Sequence, residues 1–386
     1  MRCPACTASA CRTALKRDPV AVLSNRLYDS RSQALQAPAG RLSICVCMGC
    51  GFVFNHDFDP SLIVYDEAYE NDQAHSAVFA RHMADMARRV QASRPHDGAF
   101  AAVEIGCGQG RFLRLLVEQD ATGQTTALGF DPAWRGQQSP PGTRIERRFF
   151  DADAFDGAMP SPDIVVSRHV IEHIPDPVGF LTGLRETLRP DWRGRLCLET
   201  PSLEWIVEHS AAHDFVYEHC NYFTGPALRG VMARAGWRVE QLERVFSGQY
   251  FWLEATVGIA SEPTDAVDAT HLLARIRQLD GEMQQGWRRR LAGLRVQGDI
   301  AVWGAGAKGI NFLDTVDPEG TLVSCLIDIN PRKQGRFTPL SARPVLAPGS
   351  ALAGNLRSII VMNPNYRDEI ATLLTSLDWS GNLIDA

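Results

Sequence analysis

Residues 101–110 read AAVEIGCGQG, an apolar strand running straight into glycines at positions 106, 108 and 110, with Glu104 two residues before the first. A strand ending in closely spaced glycines and followed by a helix lets a nucleotide-like ligand approach the backbone. The helix follows at once as RFLRLLVEQ, with Phe112, Leu113, Leu115 and Leu116 on its apolar face. The spacing Gly106-x-Gly108-x-Gly110 is not the dinucleotide fingerprint, which places two residues before its third glycine. Read alone, the segment also fits a tight strand–helix connection with no ligand.

The next stretch favours a ligand. Residues 125–130, TTALGF, form a second strand ending at Asp131, where an acidic side chain can grip a ribose diol through two charge-assisted hydrogen bonds. DIVVS at 163–167 is a further buried strand, followed by RHVIEHIPDP at 168–177. RLCLE at 195–199 gives the next strand and leads into Thr200-Pro201-Ser202. The glycine turn with Glu104 resembles the first motif of class I S-adenosylmethionine (SAM) methyltransferases, and HVIEHIPDP resembles the motif that follows strand four in many of them. That resemblance implies that Gly106 and Gly108 pass beneath the methionine moiety. It assigns Glu104, Gly106, Gly108, Gly110, Asp131 and His169 to cofactor binding, and Asp151 or Asp153 to the adenine amine.

Composition narrows the class. A chain of 386 residues suggests two or three domains. The formal charge of −6, without a long lysine or arginine run, argues against a nucleic-acid partner. MRCPACTASA lacks the apolar core of a secretion signal, and no segment offers an uninterrupted apolar run of about 18 residues for a membrane helix. A cytoplasmic location is expected. In a large chain of this kind the 10 cysteines read as reduced thiols and metal ligands rather than disulfides.

Six of those cysteines fall within the first 50 residues. Cys3-Pro-Ala-Cys6 and Cys47-Met-Gly-Cys50 are two CxxC knuckles, which together complete the tetrahedral sulfur shell that zinc prefers. Four protein ligands leave no open position, so the expected role is structural. A redox CxxC pair or unligated thiols are the alternatives, and Cys11 and Cys45 are the reserve ligands.

Ala77, Phe79, Met83, Met86 and Val90 repeat at helical spacing, predicting a connecting helix, and the polar stretch before it carries Tyr65 and Tyr69. Residues 213–223, HDFVYEHCNYF, hold the densest cluster of chemically able side chains: Tyr217, Glu218, His219 and Tyr222. A histidine beside a carboxylate can serve as a general base near neutral pH. The alternative is an aromatic loop covering the core. Residues 262–297 read as a helical linker. A second α/β unit opens at DIAVW (299–303), continues through Gly304-Ala-Gly306-Ala-Lys308-Gly309, and places Asp328 19 residues after Gly309. Taken alone, this turn reads as a dinucleotide fingerprint.

Paired CxxC knuckles, a central SAM domain with an EH-aromatic loop, and a C-terminal GxGxKG with Asp-Ile-Asn-Pro-Arg-Lys-Gln-Gly at 328–335 together resemble the sugar C-methyltransferases. These act on nucleotide-linked 4-keto-deoxysugars. The resemblance implies an α/β fold in four parts: a zinc-binding module (1–75), a class I Rossmann-like methyltransferase domain (76–260), a helical linker (261–297) and a second Rossmann-like domain (298–386). It implies SAM and structural zinc as cofactors, and a monomer or small homo-oligomer acting on a small molecule. Glu218 and His219 match the family's Glu-His pair, whose histidine is the base, and His173 matches a histidine after strand four. Lys308, Asn311, Asp328 and Lys333 would help hold the sugar nucleotide, with no nicotinamide cofactor. Two positions depart from the pattern: Val216 stands where the family commonly has tyrosine, and a second family tyrosine falls near Asn71. Other readings are O- or N-methylation of another sugar or small metabolite, an NAD-binding bifunctional enzyme, and a non-catalytic SAM-binding regulator.

Overall fold

The computed structural model describes residues 1–94, 98–151, 161–259 and 267–386. Asp153 lies outside the described residues. The N-terminal module is an antiparallel sheet of β1 (Cys11–Ala21), β2 (Ala39–Cys47) and β3 (Val53–Asn55), with a short helix α1 (Arg31–Leu35) between β1 and β2. The helix predicted before the glycine turn is α2 (Ala77–Ala92). Its N-terminus is closed by Ser76, whose hydroxyl accepts from the Phe79 amide, and it buries Phe79, Met83, Met86 and Val90.

The central sheet contains β4 (Phe100–Ile105), β5 (Thr125–Phe130), β6 (Thr143–Glu146), β7 (Ile164–Arg168) and β8 (Arg195–Pro201), all parallel. Every residue of β4 is buried, as expected of a strand covered on both faces by helices. Those helices include α3 (Arg111–Glu118), α4 (Pro177–Thr187), α5 (Leu203–Glu208) and α6 (Gly225–Arg234). The Asp-Pro of the strand-four motif has a local cause. Asp176 caps α4 by accepting from the Gly179 amide at 2.8 Å, and Pro177 takes the first helical turn, where its missing N–H costs nothing.

A short strand β9 (Asn221–Tyr222) follows the EH loop, and the antiparallel hairpin β10 (Trp237–Val245) and β11 (Tyr250–Val257) closes the sheet in the order β10-β11-β8-β7-β4-β5-β6. The chain lays strands first on one side of β4 and then on the other. That switch opens a crevice at the carboxyl ends of β4 and β7.

The polar stretch expected as a linker contains α7 (Ala269–Arg295), which buries Leu272, Leu273, Ile276, Leu279, Met283 and Leu291. The C-terminal sheet is fully parallel, β14-β13-β12-β15-β16, formed by β12 (Asp299–Trp303), β13 (Cys325–Ile327), β14 (Val345–Leu346), β15 (Leu356–Val361) and β16 (Asn382–Asp385). Its helices are α8 (Ala307–Val316), α9 (Pro348–Leu352) and α10 (Arg367–Ser376). A second switch point lies where β12 ends at Gly304.

The main core does not respect the boundaries drawn from sequence. One hydrophobic cluster joins Leu15 and Ile44 of the N-terminal sheet, Trp205 and Phe215, Ile276 of α7, and Phe312 of α8. The β9 strand comes from the central segment yet pairs antiparallel with β3, Val53 opposite Tyr222. Among the described residues, no helix is long and apolar enough to cross a membrane.

Candidate active site

The crevice at the end of β4 is a cavity of about 470 Å³ lined by Glu104, Gly106, Gly108, Asp131, Arg168 and His169. Gly106 has φ +74°, and a side chain there would collide with Val170; at Gly108 the space is open, leaving a bare backbone cradle. Gly110 starts α3 with φ +72°. Asp131 is held by two amides, with Gly108 N donating to Oδ2 and Ala133 N to Oδ1, each at 2.8 Å. Burial raises its pKa, opposed by those amides and by Arg135. Glu104 is buried, and its Oε2 has no hydrogen-bond partner in the structure. Phe130 and Phe150 line the wall beyond Asp131 with ring centroids 5.6 Å apart, edge to face, an apolar slot suited to a flat base. Asp151, by contrast, is exposed, pairs with Arg148 at 2.7 Å and lines neither cavity.

A second cavity of about 300 Å³ lies between the central and C-terminal sheets, lined by Glu172, Val216, His219, Lys308, Asp328 and Lys333 among others. The two cavities share Tyr69, Asn71, Asp72, Gln73, His169 and His173. They meet, so a group in one can reach a ligand in the other.

At the junction the EH loop is fixed by polar contacts. Glu218 is buried; it accepts the Tyr69 hydroxyl at 2.6 Å and the Ser24 amide at 3.2 Å, and burial raises its pKa. His173 Nδ1 lies 2.9 Å from the Glu218 carbonyl oxygen, which can only accept, so Nδ1 carries a hydrogen. The Tyr65 hydroxyl stands 3.0 Å from the same Nδ1. His219 meets the His173 ring edge-on at 4.8 Å. Burial and the neighbouring His173 push its pKa down to about 3, with Glu172 opposing. It is thus a neutral imidazole at physiological pH. Glu172 is held below its ordinary carboxylate range despite its burial, by His169, His173 and His219 around it.

The two loop tyrosines are placed elsewhere. The Tyr217 ring packs over Gly40 and Phe58 of the N-terminal module, and its hydroxyl accepts from the Asp59 amide at 2.9 Å. The Tyr222 hydroxyl closes on the backbone of Val216, donating to its carbonyl at 2.9 Å and accepting from its amide at 3.0 Å. Neither lines a cavity. The phenols at the junction are Tyr65 and Tyr69.

The four C-terminal residues divide similarly. Lys308 lines the acceptor-side cavity but pairs with Asp214 and lies over the Trp205 ring at 4.9 Å. Lys333 donates to the Ala305 carbonyl at 2.9 Å, and Asp328 accepts the Ala305 and Asn330 amides at 2.8 and 2.9 Å, clipping the glycine turn shut. Asn311 lines no cavity. Its amide donates to the carbonyls of His213 at 2.6 Å and Phe215 at 2.9 Å, and so positions the EH loop.

In the N-terminal module, Cys3, Cys6, Cys47 and Cys50 converge, with Sγ atoms 3.7 Å apart for Cys3 and Cys50 and 3.6 Å for Cys6 and Cys47. A tetrahedron with zinc–sulfur bonds of about 2.3 Å has edges of about 3.8 Å, so the donor set could hold such an ion. Cys11 and Cys45 stand outside this group.

Three working residues escaped the sequence reading. Arg168 ends β7 with its Nε on Glu199 at 2.6 Å. Glu70 joins Arg135, Arg332 and Asn330 at 3.0, 2.7 and 3.2 Å, tying the segment between the cavities to both sheets. Arg17, buried on β1, reaches Asp280 of α7 and the carbonyls of Ala212 and Phe215. Only Arg17 left a signal: it falls in phase with the buried Leu15 on an alternating strand.

Residues 79–242 match the family model described as a methyltransferase domain, and residues 258–386 match the C-methyltransferase C-terminal domain. A ubiquinone biosynthesis O-methyltransferase of Dinoroseobacter shibae is 30% identical over 109 residues, and one of Cereibacter sphaeroides is 33% identical over 113. Each match covers 28% of this chain and 44% of the relative, so the chain spans less than half the length of these curated relatives. Among solved structures, a methyltransferase complexed with the Haloferax volcanii Trm112 activator aligns with TM-score 0.40 and 16% identity, covering 51% of this chain and 100% of that one. The CurJ carbon methyltransferase aligns at 0.37 and 16%, covering 47% and 56%. Fold, glycine cradle and domain matches agree: the chain carries a class I SAM-dependent methyltransferase domain followed by a C-methyltransferase C-terminal domain.

Proposed function

We propose that the protein transfers the methyl group of SAM to a carbon atom of a small keto compound, a nucleotide-linked keto-deoxysugar. The observation that carries this reading is the meeting of two cavities, one built on the methyl-donor motif and one faced by His219 and the C-terminal sheet. The C-methyltransferase match of residues 258–386 supports carbon as the target. Bound SAM supplies an electrophilic methyl group on a sulfonium.

The chain's own residues supply the rest. His219 lines the acceptor cavity and is assigned to take the proton from the carbon next to the ketone, with Glu172 countering the burial that weakens it as a base. The carboxylate of Glu172 offsets the imidazolium that forms. The enolate carbon bonds to the methyl carbon as the carbon–sulfur bond breaks, leaving its electrons on sulfur. Glu218, anchored by Tyr69 and Ser24, fixes the backbone on which His219 sits. Tyr65 lines the first cavity beside His173 and is the hydroxyl we assign to meet charge on the ketone oxygen, in place of Tyr217 and Tyr222; the Tyr69 proton is committed to Glu218. The four cysteines line neither cavity, and we assign them a structural zinc ion.

The test is a panel of nucleotide-linked 4-keto-deoxysugars with methyl-labelled SAM in deuterated solvent. Wild type should methylate carbon and exchange the proton beside the ketone. His219→Asn should keep SAM binding while turnover falls about 10²–10⁴-fold. Label on oxygen or nitrogen, or near-normal turnover in the variant, would overturn the reading.

A further inference from the structure

We infer that Glu172, His173 and His219 form an exchangeable site for a divalent transition-metal ion, and that an ion held there takes the proposed base out of use. The site itself stands on geometry; its effect on turnover rests on the reading of His219 as the base. A carboxylate oxygen of Glu172 and one ring nitrogen of each histidine all lie within 4.8 Å of one another. Among the described residues, this group and the four cysteines are the two sets that converge so closely. Ligands at about 2.1 Å on a tetrahedral ion stand about 3.4 Å apart, so small rotations of the two rings close the set. All three residues line the second cavity, which gives an ion its way in and leaves coordination positions open.

Three further observations point to a ligand. Glu172 is 1% exposed, and while its Oε2 accepts from the Thr200 hydroxyl at 3.1 Å, its Oε1 has no hydrogen-bond partner. An unmatched buried carboxylate oxygen is costly, and an ion that binds it recovers that cost. His173 is oriented as metal-bound histidines usually are: Nδ1 donates to the Glu218 carbonyl, which leaves Nε2 as the nitrogen an ion can take. His169 stands beside the group, its Nδ1 3.6 Å from that same Oε1. It holds a left-handed backbone, φ +55°, a strain of about 1–3 kcal/mol that persists where the surroundings impose it. His169 is thus placed as a fourth ligand, or that position goes to water. Two imidazoles and one carboxylate suit zinc or cobalt, whereas magnesium and calcium favour shells of oxygen. Three such ligands hold an ion less firmly than four thiolates, hence an exchangeable site. A ring nitrogen whose lone pair is given to an ion cannot accept a proton, so the bound ion silences His219.

The probe is Co²⁺, titrated into the full chain after one equivalent of Zn²⁺ has filled the cysteine cluster. One further equivalent should bind, with the visible bands of nitrogen and oxygen ligation and without the near-ultraviolet band of cobalt on thiolate. Glu172→Gln, which is isosteric, and His219→Asn should each weaken that binding more than about 10-fold. His209→Asn, on an exposed histidine outside the group, should leave it unchanged. With two independent variants, a failure of one to fold leaves the other decisive. No further equivalent, bands of thiolate origin alone, or unchanged affinity in Glu172→Gln and His219→Asn would overturn the site. In the methyl-transfer assay, excess Zn²⁺ should then stop turnover and a chelator should restore it. An ion bound with turnover intact would overturn the silencing and, with it, His219 as the base, while the spectrum upholds the site.

Discussion

Arg17 is the side chain whose loss should be felt farthest from its own position. It is 5% exposed at its side chain and paired at 2.7 Å with Asp280, itself 14% exposed; it donates to the Ala212 carbonyl at 2.9 Å and to the Phe215 carbonyl at 3.3 Å. Arg17→Met keeps the apolar stem but leaves Asp280 as a nearly buried carboxylate without a counter-charge, its Oδ2 still accepting from Gln284 at 3.1 Å. Breaking one partner of a buried pair costs about 3–5 kcal/mol. The double variant Arg17→Met/Asp280→Leu removes that stranded charge. Phe215 O retains the Asn311 amide and Ala212 O the Phe215 amide, so the acceptor left without its partner is Asn311 Oδ1, which takes a hydrogen from Arg17 at 3.4 Å, at about 1–3 kcal/mol. The double variant should therefore be more stable than the single by about 2 kcal/mol. Urea titration of the full chain, comparing midpoints at constant slope, measures both. A loss under about 1 kcal/mol in the single variant, or a double variant no better than the single, would refute the assignment of Arg17 as a buried clamp.

Further outcomes can be checked independently. Protein purified without chelator should carry one zinc ion per chain, and Cys47→Ser should lower both metal content and melting temperature. Asp131→Ala should weaken SAM by about 1.5–3 kcal/mol in calorimetry through lost charge-assisted hydrogen bonds. Gly106→Ala should sharply reduce SAM binding, because the added methyl meets Val170 at a left-handed backbone position. His213 is 3% exposed, and burial lowers its pKa to about 4. The unfolded chain therefore takes up this proton first, and stability should fall by about 3 kcal/mol as pH drops from 6.5 to 4. His213→Asn should flatten that part of the pH–stability curve.

What could be read from sequence was whatever depends on local spacing. The glycine turn, the acid after the second strand, the Asp-Pro cap and the cysteine knuckles each rest on residues near one another in the chain, and their backbone consequences follow directly. Side-chain direction did not follow. Tyr217 and Tyr222 sit in a loop without a period, and the partners that turn them inward, Asp59 with Gly40 and the backbone of Val216, come from packing. Asn311 was expected at the sugar nucleotide through the family resemblance. It is a loop clamp because α8 lies against residues 212–215, a fact of tertiary arrangement alone. Glu70 and Asn330, 260 positions apart, could not have been joined by any local rule.

The pairing of β3 with β9 has a consequence for assembly. Asn221 and Tyr222 complete a sheet begun at Cys11, and His219 lies two residues before them. His219, the proposed base, is fixed beside a pairing that joins the N-terminal sheet to the central domain across about 170 residues of chain, and closures of that length are slow to form. Emerging from synthesis, the chain can form its cofactor cradle long before its base is set. If His219 is the base as proposed, a molecule whose N-terminal sheet has not docked on β9 should bind the methyl donor yet fail to transfer its methyl group.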